Sequence, residues 1–97
     1  MQLGKIVGTI VSTRKDEKLV GMRMHVVKFV DTHGKQTGPF VVAVDSVGAG
    51  VGEIVLVAQG SSARQTEFTK DKPVDAIIMA IVDVLEIGGE QRYVKSE

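Results

Sequence analysis

The feature that most constrains this chain is residues 45–64, DSVGAGVGEIVLVAQGSSAR, where a glycine-rich segment leads directly into an apolar one. Gly48, Gly50 and Gly52 fall within five residues. Glycine at this density indicates positive φ angles, or a backbone that other atoms approach closely. Residues 53–58 then have the composition of a strand that ends before Gly60. We therefore predict a tight loop followed at once by a strand.

The segment after Gly60 predicts one short helical turn. Ser61, Ser62, Ala63 and Arg64 follow the glycine, and serine is a favoured N-cap residue. The two serines lack the Gly-x-Ser-x-Gly pattern of a nucleophile elbow, so capping is the favoured role.

The glycine-rich segment does not fit the known phosphate-binding patterns. A P-loop needs Lys-Ser/Thr directly after its last glycine, and a dinucleotide fingerprint needs a long helix there. In this chain Gly52 is followed by Glu53 and a strand. A structural loop is therefore favoured over a phosphate site.

Short strands separated by turn residues make up the rest of the predicted structure. The predicted connections are a charged loop at residues 14–18, a turn at residues 32–35 and a polar surface loop at residues 65–72. Asp75 is a candidate cap for a brief helical turn. Gly88-Gly89 is a hairpin signal before a short final strand. The main predicted strands cover residues 3–13, 22–31, 39–44, 53–58 and 77–87, and the final one covers residues 91–95. This pattern predicts one all-β domain over residues 1–97, a small five-stranded OB-like barrel with one short helix and a C-terminal hairpin strand.

Two features of the predicted strands bear on packing. Gly4 and Gly8 in the first strand indicate a close approach of another backbone or a bend of the barrel. Residues 54–58 and 77–82 are apolar on both faces, whereas a half-exposed strand alternates apolar with polar. We expect one face to fill the barrel and the other to be covered by a second subunit.

Composition excludes several classes of function. The 12 Lys and Arg balance the 12 Asp and Glu, which argues against nucleic acid or an anionic membrane as the partner. The chain has no cysteine, so disulfides and thiolate chemistry are excluded. We expect neither secretion nor membrane insertion, since no leader pattern and no long apolar run occurs.

The residues able to do chemistry are few. His25 and His33 are a weak metal pair, and a packed or solvated role is favoured for each. Asp45, Asp75 and Asp83 have no evident acid–base partner, and we expect them to accept backbone hydrogen bonds or to meet an arginine such as Arg64. The sequence therefore predicts no catalytic residue, no metal and no cofactor.

Several segments match one known family in order and at family-like spacing: residues 1–13 (MQLGKIVGTIVST), 45–53 (DSVGAGVGE), 55–56, 60–64 (GSSAR), 73–76 (PVDA) and 81–83 (IVD). Together they resemble the pentamer-forming vertex proteins of bacterial microcompartments, a family that includes the ethanolamine-utilisation and carboxysome vertex subunits. The loop between residues 15 and 20 and the tail after Gly88 carry no family pattern.

The resemblance implies a structural protein: a homopentamer of OB-like barrels in the cytoplasm that closes the five-fold vertices of an icosahedral shell of hexameric tiles. The alternatives are a nucleic-acid-binding OB barrel, disfavoured by zero net charge and few aromatics, and a small metal-assisted enzyme using His25 and His33. We predict that the five-fold axis is lined by Ser46, Val47, Gly48, Ala49 and Gly50. Predicted interface or structural residues are Asp45, Gly52, Glu53, Ser61, Ser62, Arg64, Asp75 and Asp83.

Overall fold

The computed structural model describes residues 1–13, 15–67, 69–72 and 74–95. Arg14, Phe68 and Pro73, which belong to the predicted loops and to one matching segment, lie outside the described residues. The strands are β1 (Gln2–Ile10), β2 (Arg23–Val30), β3 (Gln36–Asp45), β4 (Ile54–Gln59), β5 (Ala76–Ile81), β6 (Val84–Ile87) and β7 (Glu90–Val94), and two 3₁₀ turns cover Glu17–Leu19 and Gly60–Arg64.

Five strands close into a barrel in the order β1-β2-β3-β5-β4, with β4 returning to β1. Neighbouring strands are antiparallel except β3 and β5, which are parallel. Strands β6 and β7 form a separate two-stranded sheet outside the barrel. This architecture confirms the predicted OB-like, all-β fold.

The two glycines of β1 mark a close approach at Gly4 and an irregularity of strand pairing at Gly8. A Cβ atom on Gly4 would collide with Cγ1 of Val27 and would lie 3.3 Å from the carbonyl oxygen of Lys28. Gly8 stands at a shift in the register between β1 and β2, where the barrel wall bends. Both expectations for these glycines are therefore confirmed.

The apolar strands are covered on both faces, but largely by the chain itself. Val55 and Val57 of β4 belong to the core inside the barrel, together with Ile6, Val27 and Ile78. The second face packs into an outer cluster beneath the segment that joins β4 to β5. That outer cluster comprises Met22, Val44, Ala58, Ala63, Val74 and Ile77. The β4–β5 connection therefore covers part of the face for which a second subunit was expected, and Leu56 and residues 79–82 stay half-exposed.

The long strand predicted for residues 77–87 is broken into two. Strand β5 ends at Ile81, where the next amide, of Val82, donates to the carbonyl of Ile54 (2.8 Å). Strand β6 begins at Val84 and turns through Gly88 and Gly89, whose φ angles are +60° and +82°. The hairpin signal is confirmed, since a two-residue turn with both φ angles positive suits the twist of paired strands.

The β4–β5 connection corrects three local predictions. The second 3₁₀ turn has Gln59 as its N-cap without a side-chain cap, and the hydroxyl of Ser62 donates back to the carbonyl of Gln59 (2.6 Å), so the serines do not cap. The predicted surface loop includes the fully buried Thr69, whose hydroxyl donates to the carbonyl of Ala63 (2.6 Å). Asp75 caps no helix; its carbonyl accepts from the amide of Gly60.

Candidate assembly surfaces

Asp45, the last residue of β3, organises the start of the glycine-rich loop. Its Oδ1 accepts the backbone N–H groups of Val47 (2.9 Å) and Gly48 (3.0 Å). Gly48 has a φ of +76°, a conformation that residues with a Cβ adopt only at a cost. The prediction that Asp45 accepts backbone hydrogen bonds at a loop end is confirmed, although its partner is not Arg64.

The other carboxylate oxygen of Asp45 contacts a buried histidine. Nε2 of His25 lies 3.1 Å from Oδ2 of Asp45, and Nδ1 lies 3.1 Å from the hydroxyl of Thr9. The imidazole is fully buried, on the barrel side of β2. A packed histidine is therefore confirmed, and both ring nitrogens are occupied.

The pKa of Asp45 is lowered on balance. Burial by itself raises the pKa, because it disfavours the charged carboxylate. The hydrogen bonds from the amide of Val47, the ring of His25 and the amides of Ala49 and Gly48 together lower it further than burial raises it. The carboxylate is thus held ionised to fasten the loop.

Glu53 fastens the far end of the loop. Its Oε1 accepts the N–H of Gly50 (2.6 Å), and its own N–H donates to the carbonyl of Gly50 (3.2 Å). Gly52 has a φ of +94° and donates its N–H to the carbonyl of Ile6 in β1 (2.8 Å). The loop is therefore tied to itself and to the barrel wall.

The middle of the loop packs into the core of the barrel. Ala49 is buried in the inner core, and the hydroxyl of Ser46 donates to the carbonyl of Ile78 (2.9 Å). Val47 and Val51 project from the loop, and Val51 is 64% exposed. The outer surface of this fixed loop is therefore apolar.

Gly50 corrects the expectation that every glycine of the loop has a special backbone. Its φ is not positive, and a Cβ there would meet only Oε1 of Glu53 at 3.5 Å, an ordinary contact. Gly48 and Gly52 carry the positive φ angles instead.

An ion pair joins the glycine-rich loop to the end of the chain. Nζ of Lys95 lies 2.8 Å from Oε2 of Glu53, and the N–H of Lys95 donates to the carbonyl of Asp83 (2.7 Å). The hydrogen bond from Lys95, with that from the amide of Gly50, lowers the pKa of Glu53, and the hydrogen bond to Glu53 raises the pKa of Lys95. The base of the C-terminal hairpin is thus fastened to the loop.

Beyond its base, the hairpin touches the barrel sparsely. Nη1 of Arg92 lies 3.4 Å from Nε2 of His33 in the β2–β3 turn, a weak contact. Val84 pairs across the strands with Val94, and these valines are 48% and 54% exposed. By strand alternation exposed Glu86 shares their face, which we call the valine face.

A second exposed apolar area lies on the outside of β2 and β3. Lys5, Lys28 and Phe40 stand side by side on neighbouring strands, and Val42 lies two residues beyond Phe40 on the same face. Phe40 is 62% exposed and Val42 39%. We call these four residues the lysine–phenylalanine face.

The structure brings only part of the predicted site together. Residues 45–53 form one unit, as described above. Arg64 is separate and donates to the carbonyl of Val74 (3.0 Å), and Asp83 contributes its carbonyl at the base of the hairpin. Ser61, Ser62 and Asp75 lie with Arg64 in the connection between β4 and β5.

Two anchors of the loop escaped the sequence interpretation. One is His25, a diagonal neighbour of Asp45 on the inner face of β2 and β3. Strand alternation places both side chains inside the barrel, so this contact could have been predicted once β2 and β3 were paired. Lys95 offers no local signal, because its contact with Glu53 depends on the path of the whole hairpin.

The described residues show no arrangement for metal binding or membrane spanning. Within residues 1–13, 15–67, 69–72 and 74–95, no group of three or more His, Cys, Asp or Glu side chains is placed to hold a metal ion. Among those same residues, no helix has the length and apolar character needed to cross a membrane. His33 is exposed in a turn, apart from the buried His25.

Comparisons with known proteins agree over nearly the whole chain. A carboxysome shell vertex protein, CcmL, of Synechocystis sp. is 42% identical over 97 residues, which is 100% of this chain and 97% of that protein. The structure of CcmL from Nostoc sp. has a TM-score of 0.93 at 42% identity and covers 98% of this chain and 100% of its own.

A shorter relative is described as pentameric. The structure of GrpN, a pentameric microcompartment shell protein from Rhodospirillum rubrum, has a TM-score of 0.82 at 46% identity, covering 90% of this chain and 99% of its own. The model of the family described as "Ethanolamine utilisation protein EutN/carboxysome" matches residues 1–83. With this match and full-length relatives above 40% identity, the chain belongs to the EutN/carboxysome family of microcompartment shell vertex proteins.

Proposed function

We propose that this protein is a structural subunit of a bacterial microcompartment shell, and that five copies form a ring at each five-fold vertex. The observation that carries the proposal is the similarity of barrel, loop and hairpin to a carboxysome vertex subunit over 98% of the chain. A pentameric relative at 46% identity supports the same subunit number. The function is structural, and the protein catalyses nothing.

Shell geometry explains the need for such a subunit. A flat lattice of hexagonal tiles cannot close on itself, so pentagonal units must occupy its corners. The partners are therefore four further copies of this chain and the hexameric shell proteins that surround each corner. A ring contact joins two different surfaces of neighbouring subunits, and the rotation between them closes the ring.

We place the glycine-rich loop, residues 46–50, nearest the five-fold axis, with Ser46, Val47, Gly48 and Gly50 towards the centre and Ala49 anchoring the loop in the barrel core. Three observations support this placement. The loop forms one end of the barrel, its conformation is fixed by Asp45 and Glu53, and its outward valines are apolar. A fixed, apolar surface suits a position where five copies converge without charge repulsion.

Native mass spectrometry tests the subunit number. We expect one species of five chains at micromolar concentration. A monomer or a dimer under these conditions contradicts the proposal. Imaging of shells made with and without the protein tests the location: closed corners of normal geometry in its absence, with no related vertex subunit present, also contradict it.

Spin-label distances test the placement of the loop. The chain has no cysteine, so single cysteines at Val51 and Lys35 can be labelled selectively. Both positions are exposed and lie beyond opposite ends of β3, and in a pentamer each label reports the side and the diagonal of a regular pentagon. We expect both distances to be shorter for Val51 than for Lys35. The reverse order places the loop at the periphery.

A further inference from the structure

We propose that the C-terminal hairpin, residues 84–94, is a strap that packs on the lysine–phenylalanine face of the neighbouring subunit and reinforces the ring. This inference rests on the proposed pentamer. It assigns the hairpin a specific partner surface, with Val84, Val94 and Glu86 on one side and Lys28, Phe40 and Val42 on the other.

The hairpin lies outside the part of the chain that the family model matches. That match ends at residue 83, and β6 begins at Val84. The pentameric Rhodospirillum relative is matched over 90% of this chain rather than all of it. We therefore expect the primary ring contacts within residues 1–83 and an added contact from the hairpin.

The hairpin is not self-sufficient as a folded element. Its backbone hydrogen bonds are internal, between β6 and β7, and a two-stranded hairpin is only marginally stable in water. Among the described residues, its polar connections to the rest of the chain are the Glu53–Lys95 ion pair and the weak Arg92–His33 contact, while the amide of Lys95 closes the hairpin's own base at Asp83. An ordered hairpin with an exposed valine pair therefore needs a further apolar surface.

The two faces do not cover each other within one subunit. Val84 and Val94 are about half exposed, and so are Phe40 and, to a lesser degree, Val42. A contact between these faces within one chain would have buried them. A contact between the two faces would therefore join two copies, which is the heterologous type of contact that a closed ring requires.

Charge favours the same pairing. Lys5 and Lys28 are direct cross-strand neighbours, and like charges in this arrangement repel. Across the described ranges, neither lysine has an ion-pair partner, and neither does Glu86. A carboxylate delivered beside the valine pair would offset the lysine repulsion while the apolar side chains leave water.

Cross-linking between separate subunits tests the contact. One subunit carries Val94→Cys and a mass tag, and the other carries Val42→Cys; both are co-expressed and treated with a short thiol-specific cross-linker. We expect a tagged–untagged cross-linked pair. The control combines Val94→Cys with Lys70→Cys in the polar loop, where we expect none. Equal cross-linking to both positions, or none to Val42→Cys within intact pentamers, overturns the proposal.

Reversing the charges of Lys28 and Glu86, singly and together, gives an independent test. Lys28→Glu and Glu86→Lys should each speed subunit exchange between isotope-labelled pentamers about two- to five-fold, and the double variant should return to within about a factor of two of the original rate. The surface control Glu67→Lys should leave the rate unchanged. The strap is overturned if the single variants exchange subunits at the original rate, or if the double variant exchanges them faster than either single variant.

The outcomes separate this inference from the proposed function. A chain that ends at Asp83 should still form pentamers, with faster subunit exchange than the full chain. If that variant fails to fold, the charge-reversal variants Lys28→Glu and Glu86→Lys decide whether the strap exists. Normal pentamers without cross-linking or charge coupling overturn the strap only, whereas an unmodified protein that is not pentameric overturns the proposed function.

Discussion

The glycine-rich loop and the C-terminal hairpin look alike in sequence and differ in how they are held. Each has two glycines with positive φ and exposes valines to solvent. The loop is fastened by Asp45, by Glu53 and by the buried Ala49. The hairpin bonds mainly to itself and reaches the barrel through Lys95 and, weakly, Arg92.

The difference teaches that turn chemistry does not decide local stability. An element opens independently when few of its contacts reach the rest of the molecule. We therefore expect the loop to unfold with the barrel and the hairpin to open alone in a free subunit. The four predictions below test that contrast, from the largest expected effect to the smallest.

Asp45→Ala should lower the free energy of unfolding by about 3–5 kcal/mol, because it leaves a buried imidazole and two loop amides without their acceptor. Urea denaturation at fixed protein concentration measures the change. Asp83→Ala, which removes an exposed carboxylate, is the control and should change stability by less than about 0.5 kcal/mol. An unchanged midpoint for Asp45→Ala would mean that the carboxylate does not hold the loop.

Gly48→Ala should cost about 1–2 kcal/mol, since a Cβ is strained at its positive φ. Gly50→Ala is the matched variant two residues away, and its added Cβ meets only ordinary contacts. We expect the thermal midpoint to fall for Gly48→Ala and to stay within about 1 °C for Gly50→Ala. Equal shifts would show that φ does not distinguish the two glycines.

Gly89→Ala introduces the same kind of strain into the hairpin, where φ is +82°. Because few contacts tie the hairpin to its own barrel, hydrogen exchange of its amides should quicken about five- to thirty-fold while barrel amides keep their protection. Gly48→Ala should instead quicken exchange in the barrel as well. Loss of barrel protection in Gly89→Ala would show that hairpin and barrel unfold together.

Acid should loosen the base of the hairpin. The pKa of Glu53 lies below its ordinary 4.5, through its hydrogen bonds with Lys95 and with the amide of Gly50. A lowered folded pKa contributes stability above about pH 4.5, and that stability is lost as pH falls through the lowered value. We expect faster exchange of hairpin amides in acid, beyond the intrinsic pH dependence.

Glu53→Gln isolates this effect from the other carboxylates. The variant keeps a hydrogen-bond acceptor for Gly50 and loses the charge that pairs with Lys95. Its hairpin should exchange quickly at neutral pH and change little on acidification. A variant that retains the full acid response would assign that response to another group, such as Asp31 or Asp45, whose pKa values are also lowered.

Several features of the fold were readable in the sequence because their causes are local. Strand composition located all five barrel strands, and Gly88-Gly89 predicted the hairpin turn correctly. The break after Ile81 was missed because residues 77–87 carry no strong breaker, and the strand ends where its pairing with β4 runs out. The serine cap failed because the 3₁₀ turn begins at Gly60, which puts Gln59 and not a serine at the cap position.

The sequence by itself determined the strands, their turns and the family, since composition, glycine spacing and ordered motifs need no knowledge of distant contacts. Only the tertiary structure decided which apolar faces the chain covers and which it leaves open. It also paired His25 with Asp45, which lie 20 positions apart, and Glu53 with Lys95. The physical reason is register: a contact between distant residues depends on how strands align and where a connection folds back, and no single segment encodes that alignment.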